Sequence, residues 1–188
     1  MSVEYTLTEL EQKLCSTGGK LRYNSNRKAG IPNSKVSKRN PMDIEKLGIA
    51  GELAVAKHLN VYPDLSIFVR KGGADLITHD DKKIDVKTTF YGKGKLIAFY
   101  KTDYNDINTF ILVTAQHYPK VVIRGWAKKE DLINKDRIGD LGHGKVFLME
   151  QSELKDINLL CLNLKFVNNK IPEMYPDNSK DDLSGYRI

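Results

Sequence analysis

Between residues 43 and 60 apolar or small side chains recur every three to four positions: Ile44, Leu47, Gly48, Gly51, Ala54, Val55 and Leu59. That spacing predicts an amphipathic helix from Asp43 to Asn60, with Asp43 as its cap after Pro41. Gly48 and Gly51 lie on the stripe despite the low helix propensity of glycine, so another backbone is expected to pack closely there. Leu7, Leu10 and Leu14 repeat the spacing within residues 1–15 and predict a short helix that Thr6 or Thr8 caps. From Cys15 to Pro41 the chain is rich in Gly, Asn, Ser, Lys and Arg with few apolar residues, the composition of a mobile basic arm.

After residue 65 the pattern changes to short strands. Ser66–Arg70 and Gly73–Thr78 lead through a polar turn, His79–Lys82, into Lys83–Thr88, and Leu96–Tyr100 alternates as a further strand of the same meander. Phe110–Ala115 is continuously apolar and predicts a buried central strand, with Lys120–Trp126 beside it. Lys128–Lys135 reads as a short helix, Lys145–Met149 as an edge strand, and Ser152–Leu160 as a helix presenting Leu154, Ile157 and Leu160. From Asn168 the chain is polar, with two prolines, and is expected to be loosely held. The fold class is therefore α/β, a mixed central sheet flanked by helices. Residues 1–42 form an N-terminal helix and basic arm, 43–170 the core domain, and 171–188 a polar tail.

Composition narrows the function. The hydrophobic fraction of 40% in 188 residues is ordinary for a globular domain, and no run reaches the length of a membrane span. The start lacks a signal-peptide pattern, and the two cysteines, Cys15 and Cys161, form no C-x-x-C pair, so a cytoplasmic protein without a disulfide scaffold is expected. The net charge of +6 is concentrated: residues 20–40 hold seven basic side chains and no acid. These are Lys20, Arg22, Arg27, Lys28, Lys35, Lys38 and Arg39, expected to meet a polyanion, as are Lys93 and Lys95 in the loop Tyr91–Lys95.

The candidate chemistry lies on the hairpin. Residues two apart share a strand face, so Asp85 and Lys87 point one way while Ile84 and Val86 point the other. A hairpin brings Asp75 beside Asp85. Two neighbouring carboxylates repel, and a hard divalent cation with oxygen ligands relieves the repulsion, while an ammonium two residues on is placed to hold a water. Glu52 borders the helix stripe upstream. Gly139–Lys145 nearly spells a phosphate loop, but Val146 replaces the required Ser or Thr and a strand follows where a helix is needed.

Glu52, Asp75 and Asp85-x-Lys87, carried on helix, strand and strand, resemble the active site of the PD-(D/E)xK nuclease superfamily, the fold of many restriction enzymes, phage exonucleases and junction resolvases. The resemblance covers roughly residues 43 to 127 and departs from the motif at Ala74, where the family name has proline. It implies a restriction-endonuclease-like core and magnesium-dependent cleavage of a DNA phosphodiester, with manganese as a substitute. Asp75, Asp85 and the Val86 carbonyl are then the metal ligands, Glu52 binds or supports a metal through water, and Lys87 orients the attacking water. Gln116 matches a glutamine that some members place near the site. A homodimer is compatible with this reading. Two other functions remain open at this point: a catalytically silent nucleic-acid-binding protein on the same scaffold, and a nuclease that cleaves RNA.

Overall fold

The continuous apolar run becomes the centre of the molecule. In the computed structural model, which describes residues 1–31, 39–66, 73–142 and 144–160, that run is strand β5 (Thr109–His117). Its residues are buried from Thr109 to Ala115 because both faces of the sheet are covered. Four further strands complete the sheet: β1 (Val3–Thr6), β2 (Leu76–Ile77), β3 (Lys83–Thr89) and β6 (Lys120–Lys128). The order is β1-β6-β5-β3-β2. Strand β3 runs parallel to β5, with Asp85 opposite Phe110 and Lys87 opposite Leu112, and the other pairs are antiparallel. The sheet is mixed and the domain is α/β, as the sequence pattern predicts.

One face carries two helices. α2 (Pro41–Leu59) packs Ala54, Val55 and Leu59 against Ile84, Val86, Ile111 and Val113. Its cap is Asn40, whose side chain accepts the Met42 N–H, with Pro41 at the first helical position; the expected cap, Asp43, lies inside the first turn. α1 (Glu9–Lys28) lies on α2. Thr8 and Glu11 form a reciprocal capping box at its start, and the helix runs 20 residues. The segment expected to be a mobile arm is thus helical as far as Lys28. The stripe on α2 is wider than predicted for the same reason: α1 covers Ile49 and Ala50, while Ile44 is largely exposed.

The opposite face is covered by a second sheet rather than by a helix. β4 (Leu96–Phe99), β7 (Ile138–Asp140) and β8 (Lys145–Met149) pair in the order β4-β8-β7 and close Leu96, Ala98, Phe147 and Met149 over Phe110 and Leu112. β4 therefore does not extend the meander, and β8 is the central strand of its sheet, not an edge. α3 (Lys129–Leu132) begins the predicted Lys128–Lys135 helix, and a single 3-10 turn follows at Lys135–Arg137. The predicted helix at Ser152–Leu160 is broken: Gln151–Glu153 is a 3-10 turn, Lys155 bridges to Trp126, and helical backbone resumes only at Ile157. Most of Ser66–Arg70, Lys35 and Lys38, and everything after Leu160 lie outside the described residues. Among the described residues no helix is long and apolar enough to cross a membrane.

Candidate active site

The hairpin edge is where the acidic side chains meet. β2 has only two residues, so among the described residues β3 lacks a strand partner on that side beyond Ile84. Asp75 fills the step. Its N–H donates to the Ile84 carbonyl, and its Oδ2 accepts the Val86 N–H at 2.7 Å. The N–H and C=O of a strand residue point to the same edge, so the Val86 carbonyl also faces Asp75. Asp85 and Lys87 share the next face, as alternation requires, with Lys87 Nζ 2.8 Å from Asp85 Oδ2 and 2.6 Å from Oδ1. Asp85 is 8% exposed. The Lys87 ammonium lies 5.7 Å from the Tyr104 ring centre, and Tyr104 is buried with its hydroxyl accepting the Phe99 N–H. That tyrosine is a wall of the site.

Glu52 arrives from the helix side. Gly51 permits it: a Cβ there would lie 2.0 Å from Thr88 Oγ1, so α2 and β3 touch at this point. Among the described residues, only Glu52 comes within reach of a Cβ added at Gly48. Glu52 is buried and held by Arg22, whose two terminal nitrogens donate to its two oxygens, each at 2.7 Å. Arg22 also donates to the Asp64 carbonyl at 3.1 Å. The guanidinium reaches this place because Gly18 and Gly19, one turn earlier, bring α1 against α2. A Cβ on Gly19 would lie 2.7 Å from the Lys46 nitrogen, and one on Gly18 2.8 Å from Ile49 Cδ1.

The charges act on one another. Burial, and then the carboxylates of Glu52 and Asp85, push the Asp75 carboxyl up to about 7, against the pull of the Val86 N–H and Lys87. Burial pulls the Lys87 ammonium down, but Asp85, Tyr104 and Asp75 outweigh it and hold the group above its ordinary value. Lys87 is therefore a fixed cation at neutral pH.

Among the described residues no group of three or more His, Cys, Asp or Glu side chains is gathered closely enough to hold a metal ion. The donor set nonetheless fits a cation held by two carboxylates and a carbonyl. Asp85 Oδ1 is buried and accepts no hydrogen bond, its contact with Lys87 being outside hydrogen-bond geometry. Magnesium keeps several waters and needs only one or two carboxylates from a protein.

The other predicted contacts scatter. Lys20 and Lys28 are exposed along α1, and Arg27 lies over the Tyr23 ring at 5.4 Å. Arg39 stacks 3.3 Å from the centre of Phe90, at the end of β3. Lys93 is exposed, while Lys95 is paired with Glu150. The loop bearing both is not free: Gln151 donates to the Gly92 and Gly94 carbonyls at 2.9 and 2.7 Å. Gln116 is exposed and lies against Gly92. Sequence reasoning placed Arg22 on a phosphate-binding arm and missed Gln151. The adjacent glycines one turn before Arg22 are the only local sign of its position; Gln151 has none. No family model, curated protein or solved structure matches the chain.

Proposed function

We propose that this protein is a magnesium-dependent nuclease that hydrolyses DNA phosphodiester bonds inside the cell. The observation that carries the reading is the meeting of Asp75, Asp85 and Lys87 at the β2-side edge of β3, with one Asp85 oxygen buried and accepting no hydrogen bond. Asp75, Asp85 and the Val86 carbonyl would hold the ion. When bound, magnesium polarises the phosphate and lowers the pKa of its bound water. Lys87, kept protonated, cannot act as a base; it orients the attacking water and balances the negative charge that grows on the phosphate. The half-buried setting strengthens that interaction relative to bulk water. Arg39 and Lys93 at the end of β3, and Lys20 and Lys28 on α1, supply phosphate contacts outside the site.

The test is a side-by-side digest of duplex DNA, single strands, branched DNA and RNA in magnesium, with Asp85→Ala as control. Cleavage of a DNA substrate that the variant lacks supports the reading. Cleavage of RNA alone moves the substrate class, and tight binding of nucleic acid with no cleavage of any substrate replaces the enzyme with a binding protein.

A further inference from the structure

The loop that follows β3 is glycine-rich but firmly held. Gln151 donates to the Gly92 and Gly94 carbonyls at 2.9 and 2.7 Å, the Gly94 N–H donates to the Tyr91 carbonyl at 2.9 Å, and the Tyr91 N–H donates to Thr89 Oγ1 at 3.3 Å. Close approaches fix its place as well. A Cβ on Gly92 would lie 2.0 Å from Gln116 Oε1, and one on Gly94 2.5 Å from Thr89 Cγ2. Thr89 stands two residues beyond Lys87 and shares its strand face, so the loop comes down beside the face that carries the site.

This held loop presents an aromatic ring to solvent. Tyr91 is 62% exposed, and its ring meets Phe90 in a T-shaped contact, centres 6.3 Å apart at 79°. That contact occupies at most one face of the Tyr91 ring. Phe90 is braced in turn by the Arg39 guanidinium, 3.3 Å from its ring centre. Lys93 is exposed two residues on and has no carboxylate partner among the described residues, whereas Lys95 is paired with Glu150. A positioned ring with a cation beside it suits a base whose own face is free and whose phosphate lies close by. Intact duplex offers no such base along its length, because each is stacked between its neighbours. Four residues separate Lys87 from Tyr91, which keeps their Cα atoms within about 14 Å, a span of a few nucleotides.

We propose that Tyr91 is a stacking platform for an unpaired base, and that it selects DNA with single-stranded character beside the bond that is cut. The selection of a cut rests on the nuclease reading above; the stacking concerns binding alone.

The experiment measures binding in calcium of a single strand, a duplex with a single-stranded tail and a relaxed closed-circular duplex, for wild type, Tyr91→Ala and Tyr91→Trp. Tyr91→Ala should lose about fivefold to a hundredfold on the first two, the size of one base–aromatic stack, and less than about twofold on the closed duplex. Tyr91→Trp should keep near wild-type affinity, and the fluorescence it adds to that of the buried Trp126 should be quenched by the single strand. An abasic nucleotide moved along the tail should reproduce the loss at one position in wild type and cost nothing further there in Tyr91→Ala. An equal loss on the closed duplex, no loss on the single strand, or an unquenched tryptophan each overturns the platform. Equal cleavage of tailed and closed duplex in magnesium overturns the selection. The expected binding pattern without cleavage of any nucleic acid overturns the nuclease reading and leaves the platform standing. Cleavage with unchanged binding by Tyr91→Ala overturns the platform alone, and no binding of any nucleic acid by wild type overturns both.

Discussion

Asp75 has an ion pair on either side, and the two are built differently. On the helix side Arg22 reaches Glu52 across 30 positions of sequence, with both side chains nearly enclosed and every carboxylate oxygen bonded. On the strand side Lys87 meets Asp85 from two residues away, is 31% exposed at its side chain, and leaves one carboxylate oxygen without a hydrogen bond. The first pair is saturated and joins two helices. The second is unsaturated and faces outward along the edge of β3. Similar charges thus serve two ends: the closed pair fixes position, and the open pair has capacity left for a ligand and a reaction.

The most severe break on the open side is Asp85→Ala. Cleavage in magnesium is expected to fall by at least about a thousandfold, while circular dichroism stays that of wild type. Lys87→Met comes next. Its single-turnover rate at saturation should drop about a hundredfold or more with binding in calcium little changed, since only contacts that strengthen in the transition state alter the chemical step. Lost affinity with an unchanged saturated rate would show that Lys87 is a plain phosphate contact.

On the closed side the expected loss is in stability. Arg22→Met strands a buried carboxylate and should lower the unfolding free energy by about 3 kcal/mol in urea titrations. Lys87→Met also strands a buried carboxylate, Asp85, but removes an ammonium whose side chain is 31% exposed, and should lower it by less, about 1–2 kcal/mol. Equal losses would erase the contrast between the pairs.

Asp75 lies between them and reports through pH. Its carboxyl titrates at about 7 in the folded protein and near 3.9 when unfolded, so the folded state keeps the proton across that window. The contribution of this carboxyl to stability is therefore full below about pH 4 and is lost as pH rises through about 7. Asp75→Asn mimics the protonated form and still accepts the Val86 N–H. In chelator it should match wild type at pH 4 and exceed it by about 1–3 kcal/mol at pH 8. Equal stability at pH 8 would mean the carboxylates do not repel as the geometry implies.

The smallest effect is expected outside both pairs. Lys93→Ala should weaken DNA binding slightly and reduce the slope of log affinity against log salt by about one, without touching the saturated rate. An unchanged slope would remove Lys93 from the phosphate contacts.

Local interactions are what the sequence reveals on its own. The strand period puts Asp85 and Lys87 on one face whatever the strand packs against, and their 2.8 Å contact needs no tertiary information. The Thr8 cap and the stripe of α2 are legible for the same reason, since capping and amphipathic spacing involve residues within a turn or two. Gly18 and Gly19 show where that legibility ends. A missing Cβ suits a loop and an intimate helix contact equally, and only the backbone of Lys46 decides between them. Once that contact forms, Arg22 leaves the basic arm and becomes the partner of Glu52. Likewise the alternation of β4 specified a strand but not its sheet, because an alternating segment pairs with whatever edge the topology offers, here β8. The chain by itself thus determined the elements and the nearest neighbours within the site. Tertiary packing determined which cation answers which carboxylate, because partners 30 residues apart meet only when two surfaces have already fitted together.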